Sequence, residues 1–196
     1  MIMVEQIAKD WPVLSGNYVV GNKESNVVII TISSKLEFPK DLFAVCGEMR
    51  TENLGVERVI ANVISNSFIR YVIICGKESK GHFAGKSLIA IYKNGIDKDG
   101  KIIGSGGAIP YIHNIPREAV LRFQKQIIKV IDLIDETDLN KIIDVIKSLS
   151  KKNPFEEGCY IIKTAEKVKK KMPVGMGDVA ISDGIHLNPI NFTICE

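Results

Sequence analysis

The sequence predicts an α/β protein: a three-layer sandwich with a mainly parallel sheet and a small carboxy-terminal appendage. Three observations carry that expectation. Short β-branched runs recur through the first two thirds of the chain, at 27–32, 69–75 and, more weakly, 101–103. The runs are continuous and not alternating, which suits strands buried on both faces. Between and after them come apolar residues at helical spacing: Val56, Val59, Ile60, Val63 and Ile64, then Ala119, Val120, Phe123, Ile127, Val130, Ile131 and Ile134. Strand, helix, strand alternation implies parallel pairing, and right-handed crossovers then stack helices on the sheet.

Boundary signals fix the helices. Asn94-Gly95 can close a helix that begins near Phe83, and Pro116 can occupy the first turn of the next. A further helix over 138–149 presents the stripe Leu139, Ile142, Ile143, Val145, Ile146 and Leu149. Beyond Asn153-Pro154 the composition changes. Residues 160–172 read as strand passing into a basic helix. Residues 179–181 and 185–187 read as a hairpin turning on Ser182-Asp183-Gly184. The expected division is a main domain of residues 1–154 and an appendage of residues 155–196. The strand-like pieces of that appendage cannot bury a core of their own, so they should pack on the domain or on a partner.

Composition narrows the function classes. Of 196 residues, 45% are apolar and 25% charged, and 26 Lys and Arg against 23 Asp and Glu leave +3. This is one globular domain, able to bury about 70% of the surface that its unfolded chain would expose, so folding needs no staple. Cys46, Cys75, Cys159 and Cys195 form no C-x-x-C pair and follow no secretory signal, which points to a reducing cytosol. No apolar run approaches the length of a spanning helix, so direct membrane insertion is not expected. A charge this small, with few aromatics and no Arg-rich helix, gives no footprint for nucleic acid, and 167–171 reads as a solvated basic face.

In such folds ligands sit at the carboxyl ends of the strands, here the glycine-rich loops after Cys75 and after Ile103. The first reads Gly76-Lys77-Glu78-Ser79-Lys80-Gly81-His82-Phe83-Ala84-Gly85-Lys86-Ser87 and invites a phosphate-loop reading. That motif needs four residues between its glycines, and Gly81 and Gly85 enclose only three. The second, Gly104-Ser105-Gly106-Gly107-Ala108-Ile109-Pro110, fails the dinucleotide pattern because its sixth position is Ile109. His82 opens a helix between two glycines. Alone it makes neither a metal cage nor a triad, and it could simply cap the helix. His113 and His186 read as structural or solvated.

The ordered blocks carry more. Trp11-Pro12-Val13, Ser15-Gly16-Asn17-Tyr18-Val19-Val20-Gly21-Asn22, Thr51-Glu52-Asn53-Leu54-Gly55, Val59-Ile60-Ala61-Asn62, Gly81-His82-x-x-Gly85-x-Ser87, Asn94-Gly95-Ile96-Asp97 and Ile102-Ile103-Gly104-x-x-Gly107-Ala108-Ile109-Pro110 follow one another from residue 11 to about 160. In these the chain resembles the corrinoid-carrying A subunit of archaeal tetrahydromethanopterin S-methyltransferase. The resemblance implies a Rossmann-like fold holding a cobamide, with His82 as the catalytic residue and the lower axial ligand of its cobalt. It also implies cofactor contacts at Gly81, Gly85, Ser87, Glu52, Asn53, Gly107, Ala108 and Pro110. A corrin ring supplies four equatorial nitrogens, so a lone histidine suffices.

The implied function is a methyl carrier between methyl-tetrahydromethanopterin and coenzyme M in methanogenesis, active only with methyltransferase partner subunits. The alternatives are a corrinoid-binding or sensing module without turnover and a phosphate or nucleotide binder. The family's carboxy-terminal membrane helix has no counterpart in the polar tail here. A soluble, cytoplasmic form or paralogue is therefore expected, with peripheral attachment to a membrane complex still compatible. The corrinoid signature D-x-H-x-x-G is met only in its second half, because Lys80 stands at the aspartate position. The carboxylate that orients His82 must come from elsewhere, with Glu78 and Glu52 as candidates. Gly47-Glu48-Met49-Arg50 also departs from the family's approach to this site.

Overall fold

A computed structural model describes residues 4–162 and, further on, residues 179–182, 185–187 and 194–195. The chain divides into two compact units, Met1–Ile162 and Lys163–Glu196. In the first, five strands form one sheet: β1 (Tyr18–Val20), β2 (Val27–Ile30), β3 (Val45–Gly47), β4 (Tyr71–Gly76) and β5 (Lys129–Ile134). Their order is β1-β3-β2-β4-β5, parallel throughout except for β1, which pairs antiparallel with β3. Four helices accompany them: α1 (Leu54–Ile64), α2 (Ala84–Asn94), α3 (Arg117–Gln126) and α4 (Leu139–Lys147). This is the Rossmann-like α/β arrangement the sequence predicts.

The continuous apolar runs do what their composition dictates, because alternate residues of β2 and β4 face opposite layers. Val28, Ile30, Val72 and Ile74 pack with Ile60, Ile64, Leu88, Ile91 and Phe123 of α1, α2 and α3. Val27, Ile29, Tyr71, Ile73 and Cys75 pack with Phe38, Phe43 and with Ile142 and Ile146 of α4. Each such side chain buried contributes about 1.5–3 kcal/mol.

Cys46 and Cys75 lie in the second layer, and burial pushes both thiols up to about 12. A thiol whose folded value exceeds its ordinary one favours folding while protonated. That contribution holds below about pH 9 and is lost as pH rises toward 12. In the native protein at pH 8, Cys46 and Cys75 should resist alkylation, and unfolding should release both; peptide mapping of the labelled cysteines checks this.

Several elements differ from the sequence reading. Residues 101–103 form no sheet strand. They make only isolated bridges, Ile96 to Ile102 and Lys101 to Tyr111, in the irregular segment between α2 and α3. The helical spacing that ran from Ala119 to Ile134 spans two elements: α3 ends at Gln126, and Val130, Ile131 and Ile134 belong to β5. Ile127 leaves the helix with extended backbone (φ −82°, ψ 122°), which is where the period changes. The three-residue strands β1 and β3 are too short to show a period. By contrast α2 ends at Asn94 and is capped by Gly95, at φ 72°, as the Asn94-Gly95 signal predicts.

The compact first unit also extends eight residues past the expected boundary at 154. Arg122, 5% exposed, draws the following segment onto α3: its guanidinium pairs with Glu157 at 2.9 Å, bonds the Gly158 carbonyl and lies 4.3 Å from the centre of the Phe155 ring. Backbone bonds from Cys159 to Glu5 and from Tyr160 to Ile64 continue the attachment. Residues 160–162 are not a strand, and the basic helix read further on lies outside the described residues.

The second unit holds a three-stranded antiparallel sheet, β6 (Val179–Ser182), β7 (Ile185–Leu187) and β8 (Ile194–Cys195), in the order β6-β7-β8. The first two are the predicted hairpin strands. Among the described residues, no helix is long and apolar enough to cross a membrane.

Candidate functional site

The connections that leave the neighbouring strands β2 and β4 run in opposite directions, toward β3 on one side and β5 on the other. In open parallel sheets the crevice at such a point is where ligands settle. The loop after β4 opens into it and carries His82. Gly76, at φ 81°, starts the loop; a Cβ there would meet the Thr31 carbonyl oxygen at 2.4 Å. The chain therefore leaves the strand against the end of β2, in a conformation that glycine permits.

The loop then passes Ser79, whose carbonyl accepts backbone bonds from His82 (3.2 Å) and Phe83 (2.9 Å), and enters α2 through Phe83 in left-handed backbone (φ 48°). The amino end of α2 is satisfied by Glu78, whose carboxylate accepts from the backbone N–H groups of Gly85 (3.1 Å) and Lys86 (3.0 Å). This corrects one candidate and removes another. Glu78 caps the helix and does not orient His82. The chain's own carboxylate also fills the place a phosphate would take at this helix terminus, so the incomplete phosphate loop has no vacancy for a nucleotide.

Glu52 holds His82. It lies two residues before α1, is 1% exposed, and brings Oε2 to 2.7 Å from His82 Nδ1. Its Oε1 accepts from the Ile109 backbone N–H at 2.6 Å. Burial by itself would push this carboxyl up, but the hydrogen bonds from backbone N–H groups and from His82 outweigh it and hold Glu52 below the ordinary carboxylate value. An ionised Glu52 only accepts, so it fixes the proton of His82 on Nδ1 and leaves the lone pair on Nε2. The His82 side chain is 53% exposed, so that lone pair is available to a ligand.

The glycine segment from 104 to 110 closes over this pair. Gly107 touches it: a Cβ there would meet the His82 carbonyl oxygen at 2.6 Å and Glu52 Cγ at 2.7 Å. Ser87, fully buried on α2, reaches Ser105 Oγ at 2.7 Å, and Ser105 Oγ accepts from the Gly107 N–H at 3.2 Å. Further along, buried Glu57 of α1 accepts from the backbone N–H groups of His113 (2.6 Å) and Asn114 (2.9 Å). Replacing Gly107 by alanine should destabilise the protein by about 1–3 kcal/mol, because either the loop or the His82 backbone must yield; a denaturant titration measures it.

The expected site residues thus sort by position. His82, Glu52 and Gly107 meet directly, and Ser87 ties the same loop to α2. Gly81, at φ 79°, has nothing within 4 Å of where a Cβ would be and leaves open space beside His82. Ala108 is exposed on the loop, whereas Pro110 is buried and its carbonyl accepts from Ile102 N–H. Asn53 caps α1 through Leu54 N–H at 2.7 Å. Gly85 faces inward; a Cβ there would meet Ile32, Glu78 and Ile134, so its bareness lets α2 pack closely on the strand ends. His113 stacks on Tyr111 (5.7 Å between ring centres) away from these contacts, and His186 lies in β7 of the second unit.

Sequence reading missed the Ile109 N–H and a set of exposed apolar side chains. Leu54, Phe83, Ile103 and Ile109 are 36–61% exposed, and they sit on the three segments that converge on His82. Ile109 was visible as an apolar residue inside a glycine-rich loop, where polar residues are the norm.

Among the described residues, no group of three or more His, Cys, Asp or Glu gathers to hold a metal. The site offers one oriented imidazole nitrogen in an apolar, glycine-lined surface. The family described as the A subunit of tetrahydromethanopterin S-methyltransferase matches residues 4–172, and the chain belongs to that family. It is 41% identical to the A subunit of the "Putative methyltransferase Mtx" of Methanosarcina barkeri, with 98% of each chain covered. It is 44% identical to the protein of the same name from Methanosarcina acetivorans, again over 98% of each. It is 46% identical to the first form of the tetrahydromethanopterin S-methyltransferase A subunit of Methanothermobacter marburgensis, over 85% of this chain and 71% of the relative. The protein is a methyltransferase subunit.

Proposed function

We propose that this subunit is a cobamide-bearing methyl carrier and that His82 Nε2 is the lower axial ligand of the cobalt. The observation that carries the reading is the Glu52–His82 contact, which fixes the tautomer and turns the free nitrogen outward. The residues suit the group. Gly81 admits a broad flat ring beside the histidine, and exposed Leu54, Phe83, Ile103 and Ile109 offer it apolar contact. When bound, the cobamide supplies a cobalt centre able to accept and release a methyl group; the protein sets its axial ligation and its access.

The chain's own residues do three things. Glu52 holds the Nδ1 proton and keeps the imidazole from turning. Ser87 and Ser105 tie the glycine segment to α2, and Glu57 ties His113 and Asn114, just beyond it, to α1. The Ile109 N–H neutralises part of the charge on Glu52, so the carboxylate stays ionised although buried. The proposed methyl donor is methyl-tetrahydromethanopterin, in keeping with the family name, and the proposed acceptor is coenzyme M, each bound by partner subunits. The "Mtx" relatives match the whole chain and bear another name, and this favours a second reading in which the same carrier serves a different donor or acceptor. Adding a cobamide to the purified protein and recording its absorption tests the carrier reading. Bands shifted by histidine ligation are expected, and an unchanged free-cobamide spectrum overturns it.

A further inference from the structure

Among the described residues three non-glycine side chains stand on left-handed backbone, Ile32 (φ 50°), Phe83 (φ 48°) and Asp135 (φ 70°), and they lie in the connections that leave the carboxyl ends of β2, β4 and β5. Aspartate accepts that conformation readily, and Phe83 is where the loop turns into α2. Ile32 is different. It is fully buried, and it is β-branched, which makes a positive φ a true outlier. A strained residue persists only where its surroundings impose the conformation, and such residues gather at functional sites.

What surrounds Ile32 is the pair of loops that meet at His82. Its carbonyl accepts from the Met49 N–H at 3.0 Å, three residues before Glu52. Its side chain runs to the other loop: a Cβ on Gly85, three residues after His82, would meet Ile32 Cδ1 at 2.8 Å. Left-handed backbone holds the carbonyl on Met49 while the side chain points at the amino end of α2. The two residues that follow grip the stem of the His82 loop. Ser33 Oγ donates to the Lys77 carbonyl at 2.5 Å, and Ser34 Oγ accepts from the Lys77 N–H at 2.8 Å. We propose that Ile32 is a positioning residue for His82: wedged between the two loops, it sets the separation at which Glu52 Oε2 meets His82 Nδ1 and thereby fixes the proton on that nitrogen. The inference rests on the tautomer assigned above and not on the cobamide.

The tautomer can be read without any ligand. Correlation spectra (¹⁵N–¹H) of the full-length protein labelled with ¹⁵N-histidine, recorded at alkaline pH where imidazole is neutral, distinguish a protonated ring nitrogen from a bare one. His82→Ala identifies the signals that belong to His82. The unaltered protein should carry the proton on Nδ1. In Ile32→Gly the backbone suits glycine but the wedge is gone, so the excess of the Nδ1–H form should be lost and both ring nitrogens should shift toward averaged positions. Ile32→Val, the smallest change, removes only Cδ1 and should lose part of that excess. Ile32→Leu restores the reach of the side chain without the branch at Cβ and should recover most of it. Ile142→Ala, at a fully buried position of α4 in the other layer, should melt earlier yet keep its proton on Nδ1. Unshifted His82 signals in Ile32→Gly or in Ile32→Val overturn the proposal. So does a loss in Ile32→Leu or Ile142→Ala as large as in Ile32→Gly. The carrier reading then stands, because no cobamide enters the measurement. A proton on Nε2 in the unaltered protein overturns both the proposal and the tautomer on which the carrier reading depends.

Discussion

Replacing His82 with alanine should abolish the axial-ligand bands of the cobamide complex and weaken cobamide binding by about 10–100-fold, the usual scale for loss of a metal-site partner. The fold should survive. The side chain is 53% exposed, its only hydrogen bond among the described residues is to Glu52, and the loop around it is held by backbone bonds to Ser79 and by the Glu78 cap. Circular dichroism and a melting curve close to those of the unaltered protein would confirm this. His113→Ala should leave the cobamide spectrum as it was, because His113 contributes its backbone N–H, not its ring, to Glu57.

The second large effect is expected at Glu52, and here the two obvious substitutions should differ. In Glu52→Ala, the Ile109 N–H loses its acceptor and His82 loses its anchor. A loss of about 1–3 kcal/mol in stability should accompany weaker ligation. Glu52→Gln keeps the shape but has one carbonyl oxygen for two donors. If that oxygen serves Ile109, the amide N–H₂ faces Nδ1, and His82 must shift its proton to Nε2, which occupies the lone pair that ligation needs. If it serves His82, two N–H groups oppose each other at Ile109. Either way histidine ligation should fall in Glu52→Gln by about 10–100-fold while much of the stability is kept. Cobalamin titrations and urea melts run on both variants separate the tautomer effect from simple loss of packing.

Much of this architecture was legible because burial on both faces leaves a plain mark. Val27 to Ile30 and Tyr71 to Cys75 are apolar without alternation, since each residue meets one of two helical or loop layers. What stayed hidden has physical causes. β1 and β3 have three residues each, too few to display a period, and the strand nature of Val130, Ile131 and Ile134 was masked because α3 hands over to β5 within two residues. Ile102 and Ile103 are β-branched and Ile102 is buried, but residues 101 and 102 serve bridges in an irregular segment.

At the site, His82 stood out by its place after a central strand, but that place alone also suited a helix cap, and its expected role as a ligand came from the family resemblance. The partner of His82 was not legible, because Glu78 and Glu52 are equally carboxylates, and only the fold shows that one faces the amino end of α2 and the other the imidazole. The Ile109 N–H, a backbone group 57 residues from Glu52, leaves no trace in residue type at all.

The central claim is that the nitrogen on cobalt belongs to His82 and not to the cobamide's own base. It can be read directly by electron paramagnetic resonance of the protein loaded with cobalamin and reduced to the paramagnetic cobalt(II) form. Protein labelled with ¹⁵N-histidine, with the cofactor left at natural abundance, should show each parallel cobalt line split into a doublet, whereas unlabelled protein should show a triplet. A triplet persisting in the labelled protein would mean that the cofactor's base remains on the metal, and would contradict the assignment of His82.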